Sequence, residues 1–141
     1  MTASKVRKGS YILFMTFSSS FTKDVGSLGA LTVDSGVYCY VGSAMNGLDQ
    51  RIGRHLSNEK IIRWHIDRLT VSADEKEAYT SEKKECELAK IAEAAGGVPM
   101  FNGFGSSDCK CRTHLFRISG TAKEKLLRTS GALPFRRSDV D

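Results

Sequence analysis

The sequence contains no hydrophobic run approaching the length needed to span a bilayer. Its basic start, Met1 to Gly9, leads into no signal-type apolar region with a cleavage site. Both absences point to a cytoplasmic protein. Proline is scarce, with 2 in 141 residues, and no segment is low-complexity or repeated. The serine run at 18–20 is too short for a linker. One domain spanning residues 1–141 is therefore expected, long enough to bury its own core. Cysteine is limited to positions 39, 86, 109 and 111, and no CxxC pair occurs. A chain of this size does not need disulfides to hold together, so reduced thiols are expected. Acidic residues are also in deficit: 16 Asp and Glu against 21 Lys and Arg give a net charge of +5. Such a field draws polyanions such as DNA or RNA, although charge alone also fits a mildly basic protein without that partner.

Residues 10–17, SYILFMTF, read as a buried strand, and 37–42, VYCYVG, as another. Residues 28–33 form a short candidate strand, and the Asp34-Ser35-Gly36 turn suggests a hairpin into 37–42. A short helix begins near Asn46 or Gly47 and carries Leu48, Ile52 and Leu56 at helical spacing. Residues 63–70, RWHIDRLT, alternate like a strand. A second helix is expected from about Ser81 to Ala95, stopped by Gly96-Gly97. Then come a loop at 99–112, a late strand at 114–118, a C-terminal helix at 121–130 and a tail. No regular βαβ rhythm appears. The expected class is α+β, a small and largely antiparallel sheet flanked by helices.

Several residues invite chemistry. Arg51 and His55 are four apart on one helix side, beside Leu48 and Ile52. They either snorkel at a core edge or point into a cleft, where arginine's planar fork suits a phosphate. Glu85 shares its helix face with Leu88, Ala89 and Ala92, whereas Glu87 has lysines around it. A carboxylate on an apolar face needs a partner or a metal; alternatively it is a partly exposed residue favoured by the helix dipole. His65 and Asp67 would share one side of a strand, either a working surface or a plain exposed edge. Cys109, Cys111 and His114 form C-x-C-x-x-H, with donors that suit structural Zn²⁺, and Cys86 or His65 could complete the set. Otherwise these cysteines are small core residues. Arg54, Arg63 and Arg68 add positive charge to the middle of the chain.

Tyr40-Val41-Gly42-Ser43-Ala44, followed by Arg51 and His55, resembles the second half of the GIY-YIG nuclease signature, and Gly9-Ser10-Tyr11 resembles its first half. The wider pattern GVYCYVGSA, RIGRHL, RWHIDRL, ECELA and GFGSSDCKC with RTHLF is similar to the Uri-type branch of that superfamily, over about residues 9–118. The resemblance implies about three core strands with flanking helices. It implies a phosphodiester-cleaving endonuclease using Mg²⁺ or Mn²⁺, with DNA a better candidate than RNA. It assigns Tyr11, Tyr40, Arg51, His55 and His65 to catalysis and Glu85 to the metal. Arg54, Arg63 and Arg68 are then candidates for nucleic-acid contact. The long separation of Tyr11 and Tyr40 makes LGALTV an inserted strand or loop. Asn102 is the nearest counterpart of the family's late asparagine, with Ser107 and Asp108 as substitutes. Two other readings stay open: a nucleic-acid-binding module without catalysis, and a zinc-stabilised interaction domain. The oligomeric state is open.

Overall fold

The computed structural model describes residues 9–25, 28–44, 47–57, 65–101, 104, 111 and 113–135. Along the chain these residues form β1 (Gly9–Phe17), β2 (Phe21–Asp24), β3 (Ala30–Val33), β4 (Gly36–Ala44), α1 (Leu48–Leu56) and α2 (His65–Thr70). They continue as β5 (Glu75–Ser81), α3 (Glu85–Ala94), β6 (Val98–Pro99), β7 (Leu115–Arg117), α4 (Gly120–Ser130) and β8 (Leu133–Pro134).

The expected α+β class and antiparallel sheet are present. Among the described residues the main sheet has six strands in the order β6-β7-β4-β1-β5-β8, and each pairing is antiparallel. The nine-residue strands β1 and β4 pair along their whole length, Gly9 opposite Ala44 and Phe17 opposite Gly36. That pairing makes them the rigid centre on which everything else is placed.

Successive side chains of a strand point to opposite faces, so β1 divides the core in two. Tyr11, Leu13, Met15 and Phe17 join Tyr38 of β4, Leu48 and Ile52 of α1, and Ile66 and Leu69 of α2. Ile12 and Phe14 join Cys39 and Val41 of β4, Leu88 and Ala92 of α3, and Leu126 of α4. The sheet is thus covered by α1 and α2 on one face and by α3 and α4 on the other. The last helix is well terminated. The Ser119 side chain accepts a hydrogen bond from the Ala122 N–H at 3.1 Å, and Gly131 closes the helix in the left-handed region at φ 68°.

Four local expectations change. The segment expected as a strand over 63–70 is the helix α2 from His65 onward, with 63 and 64 outside the described residues. Ile66, Asp67, Leu69 and Thr70 are all buried, a three-to-four-residue spacing that suits a helix and not an alternating strand. The hairpin from 28–33 into 37–42 does not form. Instead β3 pairs with β2 as a separate two-stranded ribbon, with Thr22 opposite Thr32. The second helix begins at Glu85 instead of Ser81, because Ser81 ends β5 opposite Ser10. β5 itself, EKEAYTS, was not anticipated; Glu75 and Glu77 occupy the exposed positions of a strand beside β1. The sheet therefore exceeds the three core strands and one insertion expected, through β5 and the short strands β6 and β8. No helix among the described residues is long and apolar enough to cross a membrane.

Candidate active site

Tyr11 enters the site from the start of β1, and its ring is 1% exposed. A buried phenol needs a hydrogen-bond partner. Tyr11 finds one in His55 Nε2 at 2.7 Å. His55, itself buried, reaches across from the last turn of α1. Tyr40 completes a ring cluster: its centroid is 6.4 Å from Tyr11 and 6.1 Å from His55. Phe104 meets Tyr40 edge-on at 6.0 Å and backs it with apolar surface.

Two charged groups border this cluster. Arg51, one helical turn before His55, donates from Nη1 to the Ser43 carbonyl at 3.3 Å. This contact ties its guanidinium to the end of β4. Glu85 stands in the first turn of α3 with 30% of its side chain exposed. Its helix buries Leu88, Ala89 and Ala92, so Glu85 does lie at the edge of the apolar face.

The electrostatics couple these groups. Burial pushes the Tyr11 hydroxyl well above the ordinary phenol range, and the neighbouring Tyr40 adds to the rise. The Arg51 charge and its hydrogen bond oppose that shift, while Glu85 reinforces it. Tyr40 is raised for the same first reason, burial, with Glu85 pushing up and Arg51 pulling down. Both phenols therefore keep their protons at neutral pH. Any gain of positive charge near Glu85 makes them more acidic.

Gly42 explains how Tyr11 fits. It lies directly opposite Tyr11 across the β1–β4 pair. A Cβ at Gly42 would stand 2.5 Å from the Tyr11 hydroxyl oxygen and 2.6 Å from the ring carbon that bears it. A glycine is therefore required for the ring to lie over the strand and reach His55. Its signals in the sequence were its place in the Tyr40-Val41-Gly42 motif and its being a glycine in a strand, a general mark of close approach.

The other candidates are distributed differently. Arg54 is engaged within the protein: its Nη2 donates to Oδ2 of fully buried Asp67 at 2.6 Å, tying α1 to α2. Asp67, expected to share a strand face with His65, is thus a structural anion. Arg68 lies on α2 and its carbonyl accepts from Lys23 Nζ at 3.5 Å. His65 opens α2. Arg63, Asn102, Ser107, Asp108 and Cys109 lie outside the described residues. Cys111 and His114 come together with Cys86 of α3. The distance of Cys86 from the other two in the chain left this grouping only one option in the sequence.

A family model describes a chain of this pattern over residues 10–133. The chain belongs to the DUF123 family. That family is described as a domain of unknown function. No curated protein and no solved structure matches the chain. The DUF123 match spans β1 to β8, so Tyr11, Tyr40, Arg51, His55 and Glu85 all fall within the family's region.

Proposed function

We propose that this chain is a divalent-metal-dependent endonuclease of GIY-YIG type that hydrolyses phosphodiester bonds, with DNA the favoured substrate. The observation that carries the reading is the convergence of Tyr11, Tyr40, Arg51, His55 and Glu85, drawn from β1, β4, α1 and α3. Phenol, imidazole, guanidinium and carboxylate in one place match the needs of phosphoryl transfer, which depends on positioning and charge stabilisation. The net charge of +5 also favours a polyanionic partner.

Glu85 fits a magnesium ion. It is a single carboxylate, partly exposed at the edge of the cluster, and Mg²⁺ takes few protein ligands while retaining much of its water. When bound, the metal would act as a Lewis acid on a phosphate oxygen and offset the Glu85 charge that raises both phenols. Arg51, held by Ser43, offers a forked donor to the same phosphate. His55 holds the Tyr11 hydroxyl in place and is the nearest group able to exchange a proton with it. Tyr40 is more exposed than Tyr11 and can hydrogen-bond the attacking water. His65, at the start of α2, is assigned a share in proton transfer. Arg63 and Arg68 are assigned to nucleic-acid contact, whereas Arg54 serves the Asp67 ion pair.

The test is cleavage of supercoiled plasmid, single-stranded DNA and structured RNA with Mg²⁺, Mn²⁺ or EDTA. Cutting of DNA is expected, and EDTA should abolish it. Arg51→Ala should slow it by about a hundredfold or more, the usual effect of deleting a transition-state donor. Binding that weakens with salt but never leads to cutting would replace this reading with a non-catalytic nucleic-acid-binding module.

A further inference from the structure

Behind the active site, the start of α3 meets the segment that leads into β7. Cys86 contributes a thiol from the first turn of α3, and Cys111 and His114 contribute a thiol and an imidazole from the approach to β7. Their donor atoms lie within 4.8 Å of one another. In a tetrahedral zinc site with Zn–S bonds of about 2.3 Å, neighbouring donors sit about 3.8 Å apart. Small side-chain rotations close that difference.

The surroundings differ from those of an ordinary core cysteine. Cys39 of β4 is fully buried in the core on the α3 face of the sheet, and burial pushes its thiol up to about 12. Cys86 and Cys111 are half-buried and line a cavity of about 290 Å³ with Ala89, Lys90 and Thr113. An ion from solvent can therefore reach them. The third donor is firmly placed. The His114 N–H donates to the Phe104 carbonyl at 2.9 Å, and its carbonyl accepts from the Val41 N–H at 3.0 Å.

We propose that Cys86, Cys111 and His114 bind one Zn²⁺ ion, with the fourth position filled from outside this set. Two thiolates and an imidazole select zinc over magnesium, which prefers oxygen. The ion would clamp the first turn of α3 to the chain entering β7. That turn carries Glu85, and His114 Nδ1 is 3.7 Å from Glu85 Oε2. Zinc thus acts as a positioning element for the edge of the active site. The ligands of this site are distinct from Glu85, and zinc binding does not depend on the nuclease reading, whereas the positioning role rests on it.

The full chain, purified under reducing conditions without added metal, should contain about one zinc per molecule by elemental mass spectrometry. Replacing zinc with Co²⁺ should produce the strong absorption of thiolate-to-cobalt charge transfer. Cys86→Ser and Cys111→Ser should each weaken metal binding by roughly tenfold or more. Glu85→Gln should keep the full zinc content, which separates this site from the magnesium ligand. If a serine variant fails to fold, the cobalt spectrum of the unaltered chain still decides. A reduced, folded chain that takes up neither Zn²⁺ nor Co²⁺ would overturn the proposal. So would a Cys86–Cys111 disulfide in the freshly isolated protein, seen as a loss of two hydrogens by mass.

Discussion

The two faces of the sheet are built from the same strands and do different work. Toward α3 and α4, β1 and β4 send Ile12, Phe14, Cys39 and Val41, which meet leucine and alanine. Toward α1 and α2 they send Tyr11, Leu13, Met15, Phe17 and Tyr38. That second face is apolar at its middle but ends in hydroxyl, imidazole and guanidinium groups. Burying such groups is costly unless each is hydrogen-bonded. The Tyr11–His55 bond at 2.7 Å meets that need. One face is thus tuned for packing, and the other gives up some packing for a set of polar groups held at fixed distances.

This contrast can be broken from either side. On the packing face, Leu88 is fully buried between α3 and the sheet. Leu88→Ala should lower unfolding free energy by about 2–5 kcal/mol, from lost burial plus the cavity left behind. Denaturant titration measures this, and cleavage per folded molecule should hardly change. On the site face, Gly42→Ala should cost less stability, about 1–3 kcal/mol, because the new methyl meets the Tyr11 ring. It should nevertheless cut activity at least tenfold by displacing Tyr11 from His55, a misplacement of the order of 1 Å. Equal activity in Gly42→Ala and the unaltered chain would show that Tyr11's position does not matter.

A smaller effect sharpens the same comparison through pH. Tyr11 and Tyr40 are raised by burial above the ordinary phenol value of 10.0. The folded state holds their protons more tightly than the unfolded chain does. Their contribution is fully present below pH 10 and is lost as pH rises above it toward the folded values. The contribution of these two tyrosines should be level through neutral pH and then fall in alkali, by up to about 1.4 kcal/mol per pH unit for each. Tyr11→Phe should flatten part of that fall, as followed by urea unfolding between pH 8 and about 11. An identical alkaline slope in the variant would mean that Tyr11 is not held as described.

Much of the central architecture could be read from residue patterns. β1 and β4 are apolar runs bounded by turn residues, and α1 and α4 show clear helical spacing. The failures have physical causes. EKEAYTS is mostly polar because it lies near the sheet's edge, so its alternation was too weak to mark a strand. HIDRLT is only six residues long, and over that length two-residue and three-to-four-residue periods look alike. The hairpin expectation failed because local turn chemistry cannot reveal that β4 is already paired with β1 and β7. Glu85 stood out through its apolar neighbours alone. The grouping of Tyr11 with Tyr40 and His55 came from the resemblance, since no local pattern joins residues so far apart. Gly42's role depends on cross-strand register, and the pairing of Arg54 with Asp67 depends on how α1 meets α2. Neither is written in spacing along the chain.

The central claim is that Glu85 serves chemistry while Leu88, three residues along the same helix, serves packing. Plasmid cleavage with Mg²⁺ by the unaltered chain, Glu85→Gln and Leu88→Ala, each corrected for its folded fraction, tests this most directly. Glu85→Gln should retain its melting temperature and lose cleavage, and Leu88→Ala should melt earlier and still cut. Undiminished cutting by a folded Glu85→Gln would contradict the claim.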